Sequence, residues 1–331
     1  MLKFNEKEMK ESIQGALALR PQINQYIDEI YQKGILNVCF LGIGGTYASS
    51  MQAVNHMKEK TQMEVICESA AEYLTTGNRR IQKGTLMIVS SVTGSTKEMV
   101  DAVLKAQQNG AIVFGFIDDA SKPLAKMVDI EISYPANEQL KFFMAADRLM
   151  YLEGVFDDYD VYYQELEAHL ADALIQVGIQ ADSFALDFAK NHHDDSIHYF
   201  VGAGNQWGAT YSYGMCYWEE MHWLRTKTIH ASEFFHGMLE IVDKDTNVTV
   251  FIGEDGQRPL SVRVANFLPR ICARYTIIDT KDYPLEGISP QYRGTISHLV
   301  MRAICQRIDA YIEQINCHPT EIRRYYRQLE Y

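Results

Sequence analysis

A segment in the second half of the chain combines acids and histidines at a spacing that suits proton transfer. Glu219 and Glu220 stand late in a stretch with the pattern of a largely apolar helix, and Glu233 and His236 follow a short strand-like link. Carboxylates and imidazoles are common general acids and bases in enzymes. The segment therefore predicts a carboxylate base and an imidazole in one cleft.

Glu220 is the stronger candidate for the base. If 205–224 is one α-helix, three- and four-residue spacing places Glu220 on an apolar and aromatic face. The other members of that face are Tyr213, Cys216, Tyr217, Trp223 and Leu224. Burial there would raise the pKa of the carboxyl toward the range useful for moving a carbon-bound proton. The alternative is a surface carboxylate paired with Arg225 or Lys227, a role that suits Glu219 better.

His236 follows two phenylalanines and precedes Gly237. A histidine in such a loop could pass a proton to the ring oxygen of a sugar and open the ring. A hydrogen-bonded loop histidine without a chemical role is the alternative, which these residues alone leave open. His222 and His230 are weaker candidates, because the first is predicted on a helix surface and the second in a strand.

A hydroxyl-rich turn in the first half of the chain is the second chemical signal. An apolar strand runs into it, and a helix is predicted to begin near its last residue. The turn contains Ser91, Thr93, Gly94, Ser95 and Thr96. Free amides and the dipole at a helix N-terminus favour an anion, and neutral hydroxyls suit a phosphate monoester. The alternative is ordinary Ser/Thr capping of a helix.

Gly45 and Thr46 lie on the neighbouring turn, where Thr46 would add a further hydroxyl. The glycines around them, and those in 202–208, also suggest nucleotide binding. Neither run is a complete fingerprint, and neither is followed by a convincing ribose-binding acid. The matching turn of the second half, 253–257, is acidic and would repel phosphate, so one anion site per chain is predicted.

The elements that must position these residues occur twice. Residues 38–44 and 198–204 are both short apolar strands that end in Gly-x-Gly and open into a helix. In each half, apolar strands alternate with helices, as is typical of a parallel sheet covered on both faces. The sequence predicts an α/β protein with two tandem doubly wound parallel-sheet domains, each a flavodoxin-like three-layer sandwich. Ligands bind such domains at the carboxyl ends of the strands.

The predicted domain boundaries follow this duplication. They are 1–34 for an N-terminal helical segment, 35–156 for the first domain with the phosphate loop, 157–190 for a helical connector, 191–316 for the second domain with the Glu/His site, and 317–331 for a C-terminal tail. Strands are predicted at 38–41, 64–67, 85–90, 112–117, 128–133, 197–201, 228–230, 248–252 and 275–278, with a closing helix near 293–315.

Composition narrows the class of partner. The 331 residues carry 43 acids and 31 bases, for a net charge of −12, which disfavours nucleic acid. The apolar runs are too short for a membrane span, and the N-terminus lacks a signal-peptide pattern, so a cytoplasmic protein without a membrane partner is predicted. The arginines at 323, 324 and 327 are interpreted as a pairing or small-anion cluster, with a solvated helix face as the alternative.

Metal and cofactor signals are weak. The six cysteines form no CxxC pair and show no zinc-ligand spacing. Residues 192–195, His-His-Asp-Asp, could bind a metal in principle but are interpreted as a solvated loop before a strand. The sequence therefore predicts no metal site and no organic cofactor.

With these motifs in place, the whole chain resembles the SIS (sugar isomerase) family with two tandem domains, and within it the fructosamine- or fructoselysine-6-phosphate deglycases. The motifs that carry the resemblance are Ser91-x-Thr93-Gly94-x-Thr96, Glu220-Met221-His222-Trp223, Glu233-Phe234-Phe235-His236-Gly237, and the tail His318-Pro319, Arg323-Arg324-Tyr325-Tyr326 and Glu330-Tyr331. The Glu233–Gly237 motif and the tail motif are specific, whereas the Ser/Thr loop is shared across the superfamily.

The resemblance implies roles for these residues. Glu220 would move a proton between C1 and C2 of the sugar, and His236 would assist ring opening. The residues expected to bind phosphate or substrate are Gly45, Thr46, Ser91, Thr93, Ser95, Thr96, Glu233 and His318. In related enzymes the histidine reaches the active site of the neighbouring subunit, so the resemblance also implies a homodimer or higher homo-oligomer with shared active sites.

The predicted function is that of a fructosamine-6-phosphate deglycase. Water would cleave a ketosamine 6-phosphate to an aldose 6-phosphate and a free amine such as lysine, by way of an enolamine and an aldimine. The tail, 317–331, lacks the lysine with which the glucosamine-6-phosphate synthase branch forms a Schiff base, so amination from glutamine is not expected. The alternatives are a phosphosugar or aminosugar-phosphate isomerase or deaminase, and a non-catalytic phosphosugar-binding sensor.

Overall fold

The chain divides into two compact units, each built around one parallel sheet. The computed structural model describes Met1–Glu330, and Tyr331 of the tail motif lies outside the described residues. The N-terminal unit comprises Lys7–Ala168, and the C-terminal unit comprises His169 onward together with Met1–Glu6. The predicted α/β class with two parallel sheets is confirmed.

In the N-terminal unit, five parallel strands are flanked by helices. The strands are β1 Asn37–Gly42, β2 Glu64–Ser69, β3 Thr85–Ser91, β4 Ile112–Ile117 and β5 Ile130–Ser133. The helices are α1 Glu6–Leu17, α2 Arg20–Gln32, α3 Gly45–Lys58, α4 Ala70–Thr76, α5 Lys97–Gln108, α6 Glu138–Glu153 and α7 Tyr159–Glu165. The strand order is β2-β1-β3-β4-β5.

Strands β1 and β3 are buried along their whole length because helices cover both faces of the sheet. Successive residues of a strand point to opposite faces. Phe40 accordingly packs against Phe142 of α6, with ring centroids 5.4 Å apart, whereas Leu41 joins a cluster that includes Val103 of α5. The continuous apolar runs of the sequence are therefore required by the three-layer packing.

The strand order creates a switch point between β1 and β3. These two strands are neighbours, yet β1 leads to β2 on one side of the sheet and β3 leads to β4 on the other. Their connections diverge and leave a crevice at the carboxyl ends, which is where ligands bind in open α/β sheets. The turns that follow β1 and β3 are those that carry the predicted hydroxyls.

The C-terminal unit repeats this arrangement with four parallel strands. They are β6 His198–Gly202, β7 Thr226–His230, β8 Val248–Ile252 and β9 Tyr275–Asp279, in the order β7-β6-β8-β9. The α-helices are α8 Ala171–His192, α9 Asn205–Ser212, α10 Arg258–Phe267 and α11 Pro290–Asn316. The order matches β2-β1-β3-β4, as the duplication predicts.

Every predicted strand is present, with ends that agree to within two residues. The helix predicted over 205–224 is wrong in its second half. It is α-helical only to Ser212 and continues as a π-helix over Tyr213–Glu219. Hydrogen bonds there run five residues back, as from the Glu220 amide to the Met215 carbonyl at 3.0 Å.

Among Met1–Glu330, none of the helices combines the length and the apolar character needed to cross a bilayer.

Candidate active site

The hydroxyl loop, Ser91–Thr96, connects β3 to α5. Ser91 is almost fully buried, and its hydroxyl oxygen accepts a hydrogen bond from the Gly94 amide at 2.9 Å. The hydroxyl oxygens of Thr93 and Thr96 lie 3.3 Å apart. Ser95 is exposed. The loop thus gathers hydroxyls at the N-terminus of α5, where backbone amides and the helix dipole favour an anion.

Gly94 makes this tight turn possible. Its φ of 58° lies in the left-handed region, and a Cβ at this position would stand 2.4 Å from Cβ of Lys122. The Gly94 carbonyl accepts a hydrogen bond from the Leu124 amide at 3.0 Å. The loop conformation is therefore fixed on two sides, and only glycine fits it.

Thr46 lies on the neighbouring turn at the same edge of the sheet, since β1 pairs with β3 through Leu41 and Val89. Its hydroxyl lies 3.1 Å from the Ile43 amide and 3.0 Å from the Ile43 carbonyl, and α3 begins at Gly45. The structure therefore brings Gly45 and Thr46 to the same switch point as the hydroxyl loop.

In the matching turns of the C-terminal unit, the Asp255 carboxylate binds the backbone amides. One Asp255 carboxylate oxygen accepts the Asn205 amide at 2.9 Å, and the other accepts the Gln257 amide at 2.9 Å. The Gly204 amide donates to the Gln257 side-chain oxygen at 3.2 Å. The N-terminus of α9 is thus neutralised by a residue of its own unit.

Glu220 follows the last residue of the π-helix, and its setting differs from the predicted one. A carboxylate oxygen lies 2.9 Å from Nε of Arg323, and 29% of the side chain is exposed. The predicted apolar face assumed α-helical spacing, and this is wrong because the segment is a π-helix. With π-helical spacing, Trp218, five residues after Tyr213, is fully buried. Glu219 is exposed and accepts the Thr226 hydroxyl at 2.7 Å.

The C-terminal tail supplies the partners of this helix end. The His318 ring lies 4.2 Å from the Trp223 ring between centroids, and the Arg324 guanidinium stacks over Trp223 at 4.2 Å. Arg323 forms the ion pair with Glu220. The predicted pairing role is confirmed for Arg323, and the structure brings His318 and Glu220 to the same helix end.

His236 and Glu233 lie in a separate segment of the same unit. His236 is exposed at the end of a short 3₁₀ turn, Phe234–His236, which the fully buried Phe234 anchors. Its amide donates to the Glu233 carbonyl at 3.0 Å, and Glu233 is also exposed. Within the described residues, the His236 side chain is not within hydrogen-bond distance of Glu220. The prediction that the two side chains share one cleft stays a prediction.

His222 was predicted on a helix surface, and this is wrong. The residue is buried, and its Nε2 lies 3.1 Å from a carboxylate oxygen of Asp309. Burial raises the pKa of Asp309 above its ordinary value, although the hydrogen bond from His222 opposes this. His230 ends β7 as predicted, and its Nδ1 lies 2.7 Å from the Ser232 hydroxyl.

Among the described residues, one group of side chains is close enough together to hold a metal ion, and its setting corrects the predicted solvated loop. His192, Asp195 and His198 are buried with their ligand atoms within 4.8 Å of one another. Nδ1 of each histidine lies 2.8 Å from the same Asp195 oxygen, and Nε2 of His198 lies 2.7 Å from the Thr249 hydroxyl. These atoms already satisfy one another, so the cluster is explained as a buried hydrogen-bond network.

Burial lowers the pKa of His198 to about 4, against the opposing effect of Asp195. Burial alone would raise the pKa of Asp195, but hydrogen bonds from His192 and His198 outweigh it, and the net shift is downward. The network therefore pairs a neutral His198 with an ionised carboxylate near neutral pH. Sequence spacing alone could not reveal it, because His198 belongs to a strand and the other two residues end a helix and its following turn.

Comparison with known proteins identifies the class of this fold. Residues 29–148 match the family model of the SIS domain, so this part of the chain is an SIS domain. The chain is 26% identical to fructosamine deglycase FrlB of Bacillus subtilis (strain 168), over 96% of this chain and 99% of that protein. It is 22% identical to fructoselysine 6-phosphate deglycase of Escherichia coli (strain K12), over 93% of this chain and 91% of that protein.

A solved structure agrees with these relatives. A Bacillus subtilis protein described as a phosphosugar isomerase matches with a TM-score of 0.87 and 25% identity, over 96% of this chain and 99% of that chain. The resemblance predicted from the sequence motifs is therefore confirmed: the fold is that of SIS proteins, and two similar proteins are named deglycases.

Proposed function

We propose that the protein is a ketosamine-6-phosphate deglycase, which uses water to cleave a fructosyl amine 6-phosphate to an aldose 6-phosphate and a free amine. The observation that carries the proposal is the glycine-turned hydroxyl loop at the switch point of the N-terminal unit. Similarity to two deglycases along almost the whole chain supports the class of substrate.

The 6-phosphate is assigned to the hydroxyl loop and to Thr46. Both lie at the carboxyl edge of β1 and β3, and α5 begins directly after Thr96. Hydroxyls and helix amides bind a phosphate monoester without a metal ion. Asp255 leaves the matching turn of the C-terminal unit with a negative charge, which supports one phosphate site in each chain.

Glu220 is assigned the proton transfer. In the open-chain ketosamine, the carboxylate removes a proton from C1 while the C2 carbonyl oxygen gains one, which gives an enolamine. The proton returns to C2, and the C1–N bond becomes an aldimine. Water then adds at C1, and the amine leaves as the aldehyde forms. One general base of this kind contributes about 10²- to 10⁴-fold to the rate.

His236 is assigned to ring opening, as a donor of a proton to the ring oxygen. Its exposure suits a side chain that serves a neighbouring subunit, and we propose a homodimer or larger homo-oligomer with shared active sites. Mixing inactive Glu220→Gln and His236→Asn proteins tests this. If subunits exchange at random, mixed dimers should restore about a quarter of the wild-type activity. Activity that stays at the level of the separate variants would assign both residues to one chain.

The proposed function is tested by the release of glucose 6-phosphate from fructoselysine 6-phosphate, with and without a metal chelator. Release that the chelator does not change, and that Glu220→Gln slows by about 10²- to 10⁴-fold, is the expected result. No release, together with a melting temperature that glucose 6-phosphate raises, would overturn the deglycase assignment and favour a sensor.

A phosphosugar isomerase or aminosugar-phosphate deaminase is the second candidate, because a solved structure of similar fold is described as a phosphosugar isomerase. The same assay separates it when fructose 6-phosphate and glucosamine 6-phosphate are offered alone. Turnover of either, without turnover of the fructosyl amine, would favour this candidate.

A further inference from the structure

Arg323 places a cation directly against the carboxylate that is proposed as the base. Its Nε lies 2.9 Å from Glu220 Oε1, with 18% of the arginine side chain and 29% of the glutamate side chain exposed. Its Nη1 donates to the carbonyl oxygens of Thr320 and Ile322. A guanidinium carries five donors in a planar fork. The described residues supply acceptors for Nε and Nη1 but none for Nη2.

The proposed reaction places the amine half of the substrate beside Glu220. The base acts at C1 of the sugar, and C1 is the carbon bonded to the amine nitrogen. Groups next to Glu220 are therefore next to the first atoms of the amine. A carboxylate on the carbon after that nitrogen is three bonds from C1, which corresponds to roughly 4 Å at bond lengths of about 1.5 Å. Such a carboxylate is within reach of a guanidinium that touches the base.

The neighbouring arginines of the tail have different surroundings. Arg324 stacks over Trp223 at 4.2 Å, and Arg327 stacks over Tyr326 at 5.0 Å. Arg323 is paired with the Glu220 carboxylate and also held by the backbone carbonyl of Ile322. Its position is therefore fixed from two sides, as a binding residue requires.

We propose that Arg323 determines specificity for the amine half of the substrate. This inference rests on the proposed function. The Nη2 edge of Arg323 binds the carboxylate of an amino acid that is linked to the sugar through its α-nitrogen. A carboxylate and a guanidinium form charge-assisted hydrogen bonds, which are stronger than neutral ones. The preferred substrates are thus 6-phosphofructosyl derivatives of α-amino acids, and amines without a nearby carboxylate react more slowly.

The test compares two substrates that differ in one charge, fructosylglycine 6-phosphate and fructosylglycinamide 6-phosphate. For the wild-type enzyme, kcat/KM should be about ten- to a hundredfold lower with the glycinamide, the range expected for a lost charge-assisted hydrogen bond. In Arg323→Gln the two values should come within about threefold of each other, since the discriminating charge is gone. Each enzyme meets the same two leaving groups, so the change in the ratio isolates the carboxylate contact.

Arg327→Gln is the matched control and should keep the wild-type ratio. Melting temperatures of the variants, and their affinity for glucose 6-phosphate, show that the fold and the phosphate site are intact. A wild-type enzyme that does not distinguish the substrates would overturn the inference. An Arg323→Gln variant that loses activity equally on both would also overturn it and make Arg323 a positioning residue of Glu220. Failure of the wild type to cleave either substrate would overturn the proposed function, and the inference with it.

Discussion

The same turn occurs once in each unit, and its side chains give the two copies opposite electrostatic character. Gly44 has φ 61° and ψ −127°, and Gly204 has φ 62° and ψ −135°, so the backbones after β1 and β6 are nearly identical. Beside Gly204, Asp255 binds the amide end of α9. Beside Gly44, the side chains that reach the same edge carry hydroxyls. Duplication has kept the fold, while the choice of side chain decides whether a turn can accept an external anion.

A second difference lies inside the strands. Val38 of β1 and His198 of β6 both stand four residues before the glycine that ends the strand, and both are fully buried. The N-terminal unit fills this position with an aliphatic side chain, whereas the C-terminal unit fills it with an imidazole bonded to Asp195 and Thr249. At this position, therefore, acid can protonate a buried side chain in the C-terminal sheet but not in the N-terminal sheet.

If the N-terminal unit binds phosphate and the C-terminal unit supplies the base, Glu220→Gln should separate binding from turnover. The variant keeps the shape of the side chain but loses the base, so kcat should fall by about 10²- to 10⁴-fold. Titration calorimetry should find the affinity for glucose 6-phosphate little changed. The matched control is Glu219→Gln, which loses only an exposed contact with Thr226 and should keep its kcat. Equal loss of kcat in both variants would contradict the role of Glu220.

The second prediction concerns acid. The pKa of His198 is about 4 in the folded protein, whereas an unfolded histidine has a pKa near 6.5. Between these values the unfolded chain binds a proton that the folded chain does not, so stability falls as the pH drops from about 6.5 to about 4. The full effect is at most about 3 kcal/mol.

Hydrogen exchange at about pH 7 and about pH 5, corrected for intrinsic rates, measures this effect in each unit. The amides of β6 should lose more protection than those of β1, and His198→Gln should reduce the difference. Equal loss of protection in β1 and β6 would show that the buried imidazole does not cause the acid sensitivity.

Thr93→Val tests whether a hydroxyl of the N-terminal unit contributes to phosphate binding. The substitution keeps the shape of the side chain and removes one hydroxyl of the phosphate loop. Loss of one hydrogen bond to phosphate should weaken binding of glucose 6-phosphate by about five- to thirtyfold. Thr75→Val is the control, since the Thr75 hydroxyl bonds to the backbone of its own helix. An unchanged affinity in Thr93→Val would remove Thr93 from the phosphate site.

The smallest effect is expected from Asp255→Asn. Asparagine has one side-chain oxygen, so it can accept only one of the two amides that Asp255 binds, and it no longer offsets the dipole of α9. The free energy of unfolding should therefore fall by about 1 kcal/mol. Affinity for glucose 6-phosphate should not change, because the phosphate is assigned to the other unit. Urea denaturation and calorimetry measure the two quantities. A clear gain in phosphosugar affinity would show that the C-terminal turn also takes part in binding.

Sequence reasoning predicted the elements whose signals are local. Continuous apolar runs followed by glycines mark strands of a covered parallel sheet, and β1 and β6 end at the glycines that marked them. The hydroxyl loop was also visible, because its residues are consecutive and α5 begins where the Ser/Thr run ends.

The features that sequence reasoning missed depend on distant contacts. The π-helix at Tyr213–Glu219 changes which side chains face the core, and α-helical spacing could not indicate it. Glu220 and Arg323 are 103 positions apart, so only the fold shows that they meet. The burial of His222 depends in the same way on Asp309, which belongs to α11.

The most direct test of the division between the two units is hydrogen exchange with and without glucose 6-phosphate. Binding at the proposed site should slow exchange in residues 44–47 and 91–97, where the hydroxyl turns and the N-terminus of α5 lie. Residues 203–206 and 253–258, where the Asp255 carboxylate accepts the Asn205 and Gln257 amides, should exchange as before. Protection that appears at the acidic turns, or that is absent from 91–97, would contradict the assignment of the phosphate to the N-terminal unit.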